Sequence, residues 1–301
     1  MSFVWFNGNF IPEDDAHISL RDTGLLHAAG LFTTFRARNG KIFRLKDHLA
    51  RLRRSCEALF IPLMYKDEIL TAAASEILSR NDLTEARMRL TVTRGSSQQD
   101  PLHGLRLSPT TFLTATTFET YPDEYYERGM TVIVLDDQKL NPYDIQAGHK
   151  TLNYFSRLSA LRDATQRGAG EALWFNVHNY LQSGSISNIF IVKDGILITP
   201  PTREDLFDPV IAEKVPYPKS ATLPGITRQV IFELAATEKT PIQRSAITVN
   251  QLLEADEAFL TNSIMGIMPL ARVERSAIGS DKPGPITRRL AELYEHQLAA
   301  G

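Results

Sequence analysis

The 301-residue sequence holds one cysteine, Cys56, two tryptophans and seven histidines. A single thiol excludes an internal disulfide and fits a reducing compartment. Cys56 falls on the apolar stripe of a predicted helix, which points to packing, although one thiol can still be reactive. The histidines are scattered rather than set at metal-ligand spacing, so no metal is expected. An excess of charge of one sign is lacking as well: the formal net charge is −2 and the pI is about 6.4, which gives no basic field for nucleic acid. No segment is apolar for the ~18 residues of a membrane span. The opening MSFVWFNGNFIPEDD has neither the basic end nor the apolar run of a signal peptide. The expectation is a soluble, cytoplasmic protein with a small-molecule partner. At 43% hydrophobic and 23% charged content, disorder is excluded and a large core, or two domains, is affordable.

Turn signals are plentiful. Asn7-Gly8, Asn39-Gly40 and Asp194-Gly195 each separate two apolar runs and predict hairpins. Leu45, Leu49, Leu52, Cys56 and Leu59 recur at steps of four and three, the spacing of one helix face. A second helix is expected near 66–78, strands over 87–93 and 110–117, and further strands over 131–135, 172–175, 189–192 and 196–199. Helical patterns follow Lys150 to about Gly168, and cover 227–238 and 285–298. The class is α+β or mixed α/β. The polar, aperiodic stretch 119–128 marks a boundary between a small N-terminal α/β domain, 1–120, and a larger C-terminal domain, 121–301. Residues 200–224 are proline-rich and irregular, which reads either as the border of a site or as a tolerated surface insertion.

Three segments deliver glycines and hydroxyls at the edges of regular elements: 183–188 (SGSISN), 223–228 (LPGITR) and 260–266 (LTNSIMG). Thr227 is placed to cap a helix, and a helix N-terminus suits phosphate. Lys150 precedes a helix with Leu152, Phe155, Leu158 and Leu161 on its apolar side, and with Leu140 and Ile145 nearby. Partial desolvation there lowers an amine's pKa and makes it a nucleophile. Arg51 lies off the apolar stripe of its helix, so pattern alone reads it as solvated.

The motifs GLFTTFRARNGKIFRLKDHLARL, HKTLNYFSRL, SGSISNIFIVKDG, LPGITRQ and FLTNSIMGIMPL span nearly the whole chain. In this order and spacing they resemble the class IV aminotransferase family of pyridoxal 5'-phosphate (PLP) enzymes, fold type IV. That family includes branched-chain and D-amino-acid aminotransferases, some amine transaminases and 4-amino-4-deoxychorismate lyase. The resemblance implies a homodimer of two-domain, D-amino-acid aminotransferase-like subunits with PLP in the cleft between domains. It implies Lys150, in the larger domain, as Schiff-base lysine and Arg51 as phosphate ligand. Ile226, Thr227 and Ser263 complete the phosphate cup, Ser187 and Asn188 line the cofactor edge, and Thr34 and Asn262 face substrate.

Two details are similar to the lyase: Thr33, where transaminases usually carry glutamate, and the run TNSIMGIMPL. The largest departure from the family is Ser183, which stands where most members place the glutamate that keeps the pyridine nitrogen of PLP protonated. A hydroxyl supplies no counter-charge, so the ring becomes a weaker electron sink. Transamination suffers from that more than elimination of pyruvate from aminodeoxychorismate, which is helped by an aromatic product. The usual lyases keep the acid too, so Ser183 also fits a divergent enzyme with another substrate; the leading expectation is a lyase making 4-aminobenzoate and pyruvate. The alternatives are an aminotransferase acting on D-amino acids, branched-chain amino acids or amines, and a PLP-binding protein of low activity. A register shift in this turn leaves room for another acid, and His27 departs from the family pattern as well.

Overall fold

The computed structural model describes residues 2–100 and 104–300, and the chain divides into two compact units. The first comprises Met1–Glu119, His149–Tyr154 and Leu298–Gly301. Asn7 and Gly8 take φ of 46° and 93°, the left-handed pair that a two-residue hairpin requires. Strand β1 (Phe3–Phe6) thus folds back on β2 (Asn9–Pro12). A short helix, α1 (Thr23–His27), starts at Asp22, whose buried carboxylate accepts from Gly24 N, Thr93 Oγ1 and Thr110 Oγ1. Asn39 and Gly40, also at positive φ, turn β3 (Gly30–Arg38) into β4 (Lys41–Ile42).

Helices α2 (Leu45–Ala58) and α3 (Asp67–Arg80) then pack on the sheet. Strands β5 (Ala86–Thr93) and β8 (Thr111–Thr117) complete the antiparallel order β2-β1-β8-β5-β3-β4, while β6 (Ser96–Asp100) and β7 (Gly104–Ser108) form a separate ribbon. Alternation sends Leu31, Phe35 and Ala37 of β3 and Met88, Leu90 and Val92 of β5 to the helices, where they meet Leu45, Leu49, Leu52 and Cys56. The segment carrying Lys150 belongs to this unit, and not to the 121–301 stretch in which the sequence placed it. Two backbone bonds explain why: Phe32 N donates to Lys150 O (3.0 Å) and Leu152 N donates to Gly30 O (2.9 Å). Gly30 permits that approach, since a Cβ there would lie 2.5 Å from Leu152 Cδ1 and 2.8 Å from Val92 O.

The second unit comprises Thr120–Gly148 and Phe155–Gln297. The stretch read as an aperiodic linker contains α4 (Asp123–Arg128), and Tyr121, Tyr125 and Tyr126 pack on the core, so their apolar rings give it order. Strand β9 (Met130–Leu140) continues beyond the expected Leu135, followed by α5 (Phe155–Gln166) and β10 (Glu171–Asn176). Next come β11 (Leu181–Gly184), β12 (Asn188–Lys193), β13 (Ile196–Thr199), α6 (Pro209–Ala212), α7 (Ile226–Thr237) and β14 (Ile242–Arg244). The remainder is α8 (Val249–Leu253), β15 (Glu257–Asn262), β16 (Gly266–Val273), β17 (Ser276–Ala277) and α9 (Pro285–Ala300). The sheet runs β11-β10-β9-β16-β15-β12-β13-β14 with β17 on β16, and β9 is parallel to both β10 and β16.

Helix α5 meets this sheet through Ala160 and Ala164, against Ala172 and Trp174. Phe155 and Leu158, expected on its apolar side, are 83% and 54% exposed; alanines let the helix sit close, and the larger residues fall off that contact line. The proline-rich stretch 200–224 is tied down at several points. Ser220 Oγ donates to Pro201 O (2.6 Å), and Arg228 Nη2 donates to Pro200 O (3.1 Å) and to Asp205 Oδ2 (2.7 Å). Among the described residues no helix is long and apolar enough to cross a membrane.

Burial pushes the Cys56 thiol up to about 12, so almost no thiolate exists at pH 8. We predict that native protein resists iodoacetamide at pH 8 and that urea-unfolded protein is fully alkylated at Cys56, as read by mass spectrometry. Rapid labelling of the folded chain would reinstate a reactive thiol.

Candidate active site

In the first unit, Lys150 Nζ lies 3.3 Å from Tyr154 Oη and 4.7 Å from the centroid of Phe32, whose ring also meets Tyr154 edge-on. These aromatics shield the half-buried amine. Ile145 and Phe155, expected to do so, are 65% and 83% exposed, because the chain turns outward on either side of the segment that pairs with β3.

Arg51 is buried, contrary to its pattern reading. It belongs to a polar stripe, His48, Arg51 and Ser55, at steps of three and four beside the apolar stripe of α2, a signal the sequence contained. Arg51 Nη2 donates to Thr33 Oγ1 (3.1 Å), which lies 2.8 Å from His48 Nδ1. A guanidinium only donates, so Thr33 accepts from Arg51, and the same hydroxyl shares a hydrogen bond with His48 Nδ1. Burial, then Arg51, then Lys150 hold His48 well below its ordinary value. Burial, then Arg54, bring Arg51 down to about 10, which leaves it charged at neutral pH. Ser55 Oγ meets His149 Nδ1 at 2.9 Å and so joins α2 to the segment bearing Lys150. Thr34 points to the other face of β3, half-buried, with Arg89 as its cross-strand partner. The Arg89 guanidinium stacks 3.7 Å from the centroid of Phe32.

In the second unit Ser183 is a buried strand residue of β11, not a turn residue, paired with Trp174. Arg157, in the first turn of α5, reaches it: Nη1 lies 3.4 Å from Ser183 Oγ and 3.1 Å from each of Gly184 O and Ser185 O. On the opposite face of the strands is Glu171, which is buried. Its Oε1 accepts from Ala172 N (3.2 Å) and Ser185 N (3.0 Å), and its Oε2 from Ser187 Oγ (3.1 Å) and Ile186 N (3.4 Å). Burial raises its pKa against the pull of those hydrogen bonds. Ser187 is thereby committed to Glu171. Gln182 also faces away from Ser183, held by Tyr217, Ser220 and Ala221.

Asn188 Nδ2 donates to Leu223 O (2.9 Å), and its Oδ1 fills the space that a side chain at Gly225 would need. Gly225 is the N-cap of α7 and no side chain caps that helix. Thr227, expected as the cap, is its second residue, since Gly225 supplies the extended backbone of the cap position. The first-turn N–H groups of an α-helix lack intrahelical partners and suit an anion. Asn262 Oδ1 accepts from Ile264 N and Met265 N (2.8 Å each), shaping the turn that presents half-buried Ser263. His48, Tyr154, Arg89, Arg157 and Glu171 are the neighbours that sequence reasoning missed.

The first unit holds a buried arginine and a shielded lysine, and the second a helix N-terminus without a side-chain cap, each a donor of the kind a phosphorylated aldehyde takes. Comparison with known proteins agrees. Residues 30–273 match amino-transferase class IV, and the chain belongs to that family, whose members use PLP. It is 32% identical over 294 residues to an assigned branched-chain-amino-acid aminotransferase of Methanocaldococcus jannaschii, covering 97% of this chain and 95% of the other. A D-alanine aminotransferase of Staphylococcus epidermidis is 28% identical over 300 residues, covering 99% and 98%. Among solved structures, Escherichia coli branched-chain amino acid aminotransferase superposes with a TM-score of 0.87 at 25% identity, covering 99% and 95%. The 4-amino-4-deoxychorismate lyase of Pseudomonas aeruginosa does so with 0.79 at 26%, covering 98% and 99%. The chain is a PLP-dependent enzyme of mixed α/β fold.

His48 carries a pH prediction. Its folded-state pKa lies below its unfolded value near 6.5, so the unfolded chain binds the proton first as pH falls. Its contribution to stability is complete above pH 6.5 and declines below it, by at most about 1.4 kcal/mol per pH unit. Urea titrations at pH 7.5 and 5.5 should show a smaller loss for His48→Gln than for wild type. Equal losses would mean that His48 is protonated in the fold.

Proposed function

We propose that the protein is a PLP-dependent lyase that converts 4-amino-4-deoxychorismate into 4-aminobenzoate and pyruvate. The observation that carries this reading is Ser183: a hydroxyl, not an acid, stands at this position, while the buried acid of the region, Glu171, is engaged on the opposite face of the strands. Similarity to the Pseudomonas aeruginosa lyase supports it. An aminotransferase acting on D-amino or branched-chain amino acids is the second reading, favoured by the names of the relatives. A PLP-binding protein of low activity is the third.

In the proposed arrangement Lys150 attaches the cofactor, and its amine later takes or returns a proton, beside the Tyr154 hydroxyl that fixes its position. Arg51 holds the phosphate as a charge oriented by Thr33, with the N–H groups of Ile226 and Thr227 and the hydroxyls of Thr227 and Ser263 as further donors. Asn188 holds the loop before α7 in place. Ser183 belongs to the cofactor's ring edge, Ser187, expected there too, is instead given to Glu171 and supports the turn, and Thr34 and Asn262 belong to the substrate side. PLP, when bound, withdraws electron density from the carbon bearing the substrate amine. A cytoplasmic homodimer is part of the same proposal, and sedimentation velocity checks its mass.

Purified holoenzyme given 4-amino-4-deoxychorismate should release 4-aminobenzoate and pyruvate in equal amounts. Formation of a keto acid from D-alanine or a branched-chain amino acid, with no 4-aminobenzoate, would establish the second reading, and inertness towards both the third. Borohydride should fix the cofactor on the Lys150 peptide, and Lys150→Ala should lose that label. A label on Lys139 or Lys193 would refute the assignment. Arg51→Ala should weaken PLP binding by about 1.5–3 kcal/mol, read by fluorescence titration; unchanged affinity would remove Arg51 from the phosphate site.

A further inference from the structure

We propose that Arg157 is a positioning residue which, through Ser183, keeps the ring nitrogen of the bound cofactor unprotonated. The inference rests on the proposed placement of Ser183 at that nitrogen and extends it to a residue of α5. It starts from strand geometry. Ser183 and its cross-strand partner Trp174 project from the same face of the β10–β11 pair. Arg157 comes to this face, with its guanidinium 5.5 Å from the Trp174 ring centroid. One nitrogen, Nη1, is fixed by Gly184 O and Ser185 O at 3.1 Å and has Ser183 Oγ at 3.4 Å.

Hydrogen-bond polarity then follows from donor inventory. Arginine has no acceptor, so Ser183 Oγ can only accept from Arg157 and is left to donate its own proton elsewhere. A group that receives this proton must offer a lone pair. An unprotonated heterocyclic nitrogen does so, whereas a protonated one would have to donate to an oxygen already facing a cation. Coulomb repulsion acts in the same direction, because a nearby positive charge disfavours a second one. The acid of the region does not reverse this. Glu171 shares its face with Leu173 and Gly184, the partners that point away from Ser183, and both its oxygens are occupied by donors of residues 172 and 185–187.

The test reads the nitrogen itself. The enzyme is reconstituted with PLP labelled with 15N in the ring, and its 15N chemical shift is followed from pH 6 to pH 9. The wild type should keep the downfield shift of an unprotonated pyridine throughout. Ser183→Glu should move it far upfield at neutral pH. Arg157→Met should raise the pH at which the nitrogen takes a proton by about one unit or more, while Arg157→Lys, which retains the charge, should stay closer to wild type. A wild-type nitrogen that is protonated at neutral pH overturns the proposal without need of any variant. An Arg157→Met titration identical to wild type overturns the role of Arg157. Release of 4-aminobenzoate and pyruvate by the same preparation keeps the proposed function intact in both cases, and an upfield shift in Ser183→Glu keeps Ser183 at the nitrogen in the second; absence of cofactor uptake overturns that function together with this proposal.

Discussion

A buried carboxylate organises the second unit. Glu171 is removed from water, at a cost that its four hydrogen bonds offset only in part, and every one of those donors belongs to residue 172 or to the turn 185–187. Gly184 lies directly against it, with no room for a side chain. The turn so fixed aims Ser183 at one face of the strands and hands the chain to Asn188, which clasps Leu223 and abuts Gly225 at the start of α7. One ionisable group thus bears on both the placement of Ser183 and the shape of the loop that leads into α7.

The first unit solves a related problem with neutral partners. A single threonine hydroxyl lies between a buried guanidinium and a buried imidazole, accepting from the first and hydrogen-bonded to the second. Charge at Arg51 is retained because burial brings it down only to about 10, and charge at His48 is suppressed by the same burial. The Thr33 hydroxyl links the two without adding a negative charge beside Arg51.

Local chemistry was legible in the sequence. The Asn-Gly and Asp-Gly hairpins need only their own φ angles, and the stripe from Leu45 to Cys56 needs only helical periodicity. The roles given to Lys150, Arg51 and the loop before α7 rest on family resemblance, since no local rule separates Lys150 from other lysines. What stayed hidden depends on distant partners. Arg51 reads as solvated until Thr33 is placed beside it, Phe155 reads as apolar helix face until α5 docks through its alanines, and Glu171 lies 14 residues ahead of the turn that it supports. Arg157 is an ordinary helix residue until β11 brings Ser183 within its reach.

The order in which the chain is completed follows from the strand pairing at Gly30. Residues 149–154 belong to the first unit although they interrupt the second. The N-terminal sheet, for all its local hairpins, lacks its last pairing until the chain has been synthesised through Leu152. During translation the edge of β3 at Gly30–Phe32 therefore waits for a partner across more than a hundred residues, a long-range closure of the kind that slows folding. Lys150 joins the unit only in that late step, after the strands and the helix around Arg51 have been synthesised.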